Sequence, residues 1–230
     1  MSTRTNEVNL SNRALAVVGP ALAAIPYAGG PISAAWSDWR ANRRFKRIEE
    51  TIDELRRLLT AAAERIDHAL SDDDMQLLEA TLERVQMAHT EQKRKKFAHL
   101  VASCWTDAHG RPFDEKMVFV NALSDFNEQH LQTLAILQDA KGAVAYNDLR
   151  DRVLPADMAA IESDSVMVPI LDTLAARYGF IQRAWGLGDP SAKNSIMWSG
   201  NLSAEGIARK CNHVITALGQ RFMASIGGAV

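Results

Sequence analysis

Apolar residues in the first half of the chain recur at helical spacing. Phe45, Ile48, Ile52, Leu55, Leu59, Ala62, Ile66 and Ala69 follow alternating steps of three and four, with Glu49, Glu50, Asp53, Glu54, Arg56 and Arg57 between them. That alternation is a heptad seam, and it predicts a long helix from Ile32 to Leu70. Such a seam is covered by partner helices or by a second copy of the chain. Ser71, followed by Asp72, Asp73 and Asp74, predicts an N-cap with carboxylates at the positive end of the next helix. Met75, Leu78, Leu82 and Val85 form the stripe of that second helix, with Phe97, Leu100, Val101, Cys104 and Trp105 further on. An antiparallel hairpin of two long helices is the simplest closure. The stripe fails between Val85 and Phe97, and His109-Gly110-Arg111-Pro112 ends the run. Met117, Val120, Leu123 and Phe126 mark another helix beyond it.

Ahead of the seam, the twenty-three residues from Ala14 to Trp36 carry no formal charge. A membrane-spanning helix needs about 20 apolar residues in an unbroken helix. Eight alanines, three glycines and three prolines give this stretch the length without the quality. A short helix, a turn at Pro26-Tyr27-Ala28-Gly29-Gly30-Pro31 and the start of the long helix fit better. A secretory leader fits poorly, because Glu7 lies in its would-be basic region and prolines interrupt its apolar region. Leu15, Val18, Leu22 and Ile25 then form an apolar face that covers the hairpin or leaves it for a partner or a bilayer. Trp36 and Trp39 are candidate interfacial anchors.

Charge adds two local features. Arg40, Arg43, Arg44, Lys46 and Arg47 form one basic cluster, and Lys93, Arg94, Lys95 and Lys96 form a second. Arg47 lies 24 residues before Ser71 and Lys95 lies 24 after it, so a hairpin closing at Ser71 brings the clusters together as a candidate anion-binding surface. The whole chain of 230 residues has a formal net charge of −2, which excludes a global attraction to polyanions.

From Glu128 the pattern changes. His130 to Leu137 reads as a helix, Gly142 to Ala145 as a short extended piece, Tyr146 to Leu154 as a second helix, and Ser165 to Tyr178 as a third. A strand at Phe180-Ile181 leads into a hairpin with Gly186, Gly188, Asp189 and Pro190 in its loop and Ile196, Met197 and Trp198 on the return strand. Ile215, Leu218, Phe222 and Ile226 give a closing helix. Leu171, Leu174, Gly179 and Phe180, with Gly219 and Phe222 later, carry a resemblance to the winged-helix superfamily over roughly residues 128–226. The resemblance implies a third helix able to read DNA. Its exposed chemistry is poor for that purpose: Asp172, Thr173 and Arg177 stand among apolar residues, behind Glu162 and Asp164. Residues 121–230 hold eleven acids and nine bases, so duplex binding is the weaker expectation.

No catalytic motif emerges. His89, His99 and His109 are ten residues apart, which on a helix leaves each about 80° short of the last, so they share no face. Gly188 to Ser195 lacks the glycine before Lys193 that a phosphate-binding loop requires. Cys104 and Cys211 have no ligand or disulfide spacing and read as buried structural thiols. The expected architecture is mainly α. An apolar segment over 1–36 precedes a long-helix hairpin over 37–111, a connecting helix over 112–127 and a winged-helix-like α+β domain over 128–230. The expected function is non-enzymatic interaction, without cofactor, metal or small-molecule substrate. Its partner is a protein or a second copy through the long helix, with conditional association to an anionic membrane. Such a protein is cytoplasmic, or peripheral at the inner membrane face. A DNA-binding regulator dimerising through the long helix is the alternative. The general cast is similar to small bacterial accessory or defence proteins.

Overall fold

The computed structural model describes residues 35–61, 71–107, 110–158, 160–185 and 211–227. Among them lie eight α-helices and one three-stranded sheet, so the fold is mainly α. The elements are α1 (Ala35–Ala61), α2 (Asp72–Val85), α3 (Glu91–Trp105), α4 (Phe113–Asp125), α5 (Glu128–Ala140), β1 (Val144–Ala145), α6 (Tyr146–Val153), α7 (Ala160–Asp172), β2 (Ile181–Trp185), β3 (Cys211–Ile215) and α8 (Ala217–Ser225). The chain divides into two compact units, residues 1–125 with 225–227, and residues 126–224 with 228–230.

In the first unit the seam of α1 is filled by helices of the same chain. Leu55 and Leu59 pack with Leu78 and Leu82 of α2 and with Ala98, Val101, Ala102 and Trp105 of α3. Ala98 and Ala102 are small, which lets α1 lie close along α3. Ile48, Ile52 and Leu58 are only partly buried against this cluster, and Thr51 is fully buried on the same face. The buried face is thus the wider stripe of a globular helix rather than a heptad line. Phe45, placed on the seam by spacing alone, is 40% exposed. Ile66 lies outside the described residues.

The second arm of the hairpin is two helices, not one. Helix α2 ends at Val85, and Thr90 starts α3 afresh with its hydroxyl accepting from the Lys93 amide at 3.3 Å. The failed stripe after Val85 therefore marks a connection. The helix expected as a connector over 112–127 is α4, and it is built into the bundle: Phe119, Val120, Ala122 and Leu123 are fully buried, and α4 packs on α2 and α3. Phe126 does not belong to that stripe. It lies in the second unit, stacked on His130 and edge-on to Tyr178, Phe180 and Phe222 with centroids 5.1–5.7 Å away.

In the second unit the sheet order is β1-β3-β2, antiparallel throughout. The strand that returns from β2 is Cys211–Ile215, with Trp185 opposite Cys211 and Ile181 opposite Ile215. Ile196, Met197 and Trp198, expected on the return strand, lie outside the described residues. Cys211, His213 and Ile215 are buried, while Asn212 and Val214 alternate with them, as a strand with one face on a core requires. Ile215 ends this strand rather than opening α8. Helix α7 widens into a π turn over Thr173–Arg177, closed by Tyr178 N–H donating to Thr173 O at 3.3 Å. Gly179 follows with φ +65 and turns the chain into β2.

Candidate functional site

The two basic clusters converge on the α2–α3 connection. Helix α2 closes with a tightened turn, Met87 N–H donating to Arg84 O at 3.0 Å and Ala88 N–H to Val85 O at 2.9 Å, and the carbonyls of the connection take side-chain donors. Arg47 of α1 supplies one, its Nη1 donating to Gln86 O at 2.6 Å. Arg94 of α3 supplies more, donating to Ala88 O at 3.2 Å and His89 O at 3.4 Å. Its Nη2 also lies 2.7 Å from Glu50 Oε2. Arg47 and Arg94 thus both reach the α2–α3 connection, where their guanidiniums are taken up by backbone carbonyls.

The remaining cations divide. Lys93 donates to Ser124 O at 2.7 Å, at the end of α4, and burial pushes its ammonium pKa down against the pull of Asp125. Lys95 pairs on the surface with Glu91 at 2.7 Å. Lys96 is half-buried, and burial lowers its pKa. The run Lys93 to Lys96 thus presents no single cationic face. Arg43, Arg44 and Lys46 are exposed. Arg40, Trp36 and Trp39 lie within α1, while Leu15, Val18, Leu22 and Ile25 lie outside the described residues. No described helix is long and apolar enough to cross a membrane.

Two polar pairs inside the units were not foreseen. Lys116 Nζ donates to Asp74 Oδ1 at 3.0 Å, with both residues buried. Ser71 completes the network as N-cap of α2, its hydroxyl and amide donating to Asp74 Oδ2 at 2.8 and 3.1 Å. Burial raises the Asp74 carboxyl pKa, but these hydrogen bonds and the Lys116 charge outweigh it and leave the value lowered. The signal was available: Lys116 stands three residues before Phe119 and four before Val120, on an apolar stripe. In the second unit, Tyr146 donates its hydroxyl to Asp164, joining α6 to α7.

Helix α7 has almost no cationic chemistry to offer. Between Ala160 and Asp172 it contains no Lys or Arg, and its outward positions include Glu162, Ser165 and Pro169. Asp172 is ion-paired with Arg183 of β2. Arg177 is exposed at the end of the π turn, its guanidinium 5.3 Å from the Tyr178 ring. A cleft of about 350 Å³ opens between α6 and α7 over Leu154, Pro155 and Met158, with Arg150 and Asp151 paired to each other at its rim.

The thiols are inert by position. Both Cys104 and Cys211 are buried and free, and burial pushes the Cys104 pKa up to about 11. Among the described residues no group of His, Cys, Asp and Glu is arranged to hold a metal ion. Comparison with protein families, curated proteins and solved structures finds nothing similar to this chain.

Proposed function

We propose that this chain is a non-enzymatic interaction protein in two parts. The second unit is read as a winged helix that docks another protein. The first is a helical bundle whose N-terminal segment associates conditionally with an anionic membrane, which would make the protein peripheral at the inner face. The observation that carries the first half is the sheet order β1-β3-β2 beside a third helix without cations. The succession of helix, short strand, two helices, two strands and a closing helix supports the winged-helix reading, and duplex affinity depends on neutralising several phosphates. A helix presenting Glu162, Ser165 and Pro169 is suited to a protein surface instead.

The test is a titration of labelled duplex DNA at low ionic strength. No salt-sensitive complex is expected. A complex that weakens steeply with salt would overturn this reading in favour of a DNA-binding regulator. For the membrane half, the full chain should float with vesicles containing anionic lipid and stay in solution with neutral ones.

A further inference from the structure

The cleft between α6 and α7 is built by the chain that joins them. Helix α6 closes with Leu154 N–H donating to Arg150 O at 2.9 Å, and Pro155 cannot continue it. A turn follows, held by Met158 N–H donating to Pro155 O at 3.2 Å. Leu154, Pro155, Ala156 and Met158 of this connection give the cleft its apolar wall. Leu154 is buried, but Pro155 and Ala156 are exposed and Met158 is half-buried, so apolar surface stays open to water. Covering it with an apolar group is favourable, and the unbranched thioether of Met158 can adapt to the shape of that group. At about 350 Å³ the cleft is near the lower bound for ligand sites, which run from about 300 to 1,000 Å³, so it has room for a bulky side chain rather than a large cofactor.

Charge decides what accompanies that side chain. Between Leu154 and Ser163 the chain holds Asp157 and Glu162 and no Lys, Arg or His. Asp157 stands in the turn between the lining residues Ala156 and Met158, Glu162 stands beside the lining residue Ser163, and both acids are exposed. Neither carboxylate is taken up by a hydrogen bond or an ion pair among the described residues. Arg150, which also lines the cleft, is paired with Asp151 at 2.7 Å, and Arg152 is exposed but does not line it. The unengaged charge at the rim is therefore negative. It repels phosphates and carboxylates, and it complements a partner that carries cations beside an apolar anchor. Glu162 also leads on to the exposed Ser165 and Pro169, which makes the rim continuous with the outward face of α7.

We propose that the α6–α7 cleft takes a bulky apolar side chain from a segment of a partner protein, with Lys or Arg next to that side chain meeting Asp157 and Glu162. This rests on the protein-docking reading of the second unit and assigns its contact. The experiment is panning of random peptides displayed on phage against the full chain at physiological ionic strength. Enriched peptides should carry a large aliphatic or aromatic residue next to Lys or Arg. A synthetic peptide of the enriched sequence should bind Ala156→Phe, which fills the cleft from an exposed position, about tenfold or more weakly, the loss expected when one apolar side chain stays unburied. Thermal unfolding checks that this variant keeps its fold. Asp157→Lys with Glu162→Lys should cost about tenfold. Glu79→Lys with Glu83→Lys makes the same charge change at exposed positions of α2 and should stay within about threefold of the parent, because salt screens it. A peptide whose apolar anchor is replaced by serine without loss of affinity, equal loss in both charge-reversed variants, or enrichment of acidic peptides would overturn the assignment. If peptides bind Ala156→Phe like the parent but lose affinity for Ser165→Arg with Pro169→Arg, the cleft falls and the docking reading stands. No enrichment of any peptide overturns both.

Discussion

The Cα of Gly219 in α8 lies against the backbone carbonyl of Phe180. A Cβ at this position would stand 2.3 Å from Phe180 O and 2.9 Å from Ile215 Cγ1. Thr216 makes the approach so close. Its amide and hydroxyl donate to Phe180 O at 2.9 and 3.1 Å, and the hydroxyl accepts from the Gly219 amide at 3.1 Å. Gly219→Ala should therefore destabilise the second unit by about 3 kcal/mol, the upper range for forced overpacking. Gly179→Ala meets nothing within 4 Å and carries only its φ of +65, so it should cost about 1 kcal/mol. Urea unfolding of the two variants, with hydrogen exchange at β2 and β3, ranks them. The reverse order would show that α8 can shift off Phe180.

Removing Lys116 leaves Asp74 buried without its counter-charge. Lys116→Met should cost about 3 kcal/mol, the lower part of the range for breaking a buried pair, because Ser71 still donates to the carboxylate. The sign with pH follows from the lowered Asp74 pKa. Its stabilisation is present above the unfolded value of 3.8 and is lost as pH falls through the lower folded value. In Lys116→Met burial is less opposed, so loss should begin at higher pH. Thermal unfolding of both proteins from neutral to acid pH reads the difference.

Thiol chemistry gives a direct check of burial. With a pKa of about 11, Cys104 is thiolate in about one part per thousand at pH 8. Neither cysteine should react with a disulfide reagent in the native protein, and both should react after denaturation. Fast labelling of one thiol in native buffer would show that its unit opens.

Coverage of the α1 face by α2 and α3 predicts a particle of the chain's own mass, 25.3 kDa, in the absence of lipid. Sedimentation measures this. A stable dimer would mean that another surface associates.

Much of the first unit was legible because its periodicity is strong. Leu55, Leu59, Leu78 and Leu82 lie in the core where their spacing put them. Phe45 fits the same spacing yet stays exposed, because a helix can outrun the neighbours that would cover it and its own pattern does not record where they stop. The failed stripe after Val85 fits a solvated helix face as well as a break, and the feature that decides for the break is Thr90 as a cap, a backbone matter that periodicity ignores. In the second unit Ile196-Met197-Trp198 attracted the return strand by its β-forming composition. The described strand opposite β2 includes His213, fully buried in the middle of the sheet, which no rule of apolar alternation would place there. Of the candidate surface, spacing gathered the arginines but could not tell that Arg47 and Arg94 bind carbonyls.

The sheet order has a consequence for how the protein is made. Strand β3 is central, yet among the described strands it is the last to leave the ribosome, and among the described residues β1 and β2 find their ladder partner only when Cys211–Ile215 arrives. During synthesis the helices of residues 35–125 can collapse on one another while the second unit still waits for its middle strand. Translation that stops before residue 211 should thus release a chain with a formed bundle and an open second half, a ready substrate for chaperones and proteases.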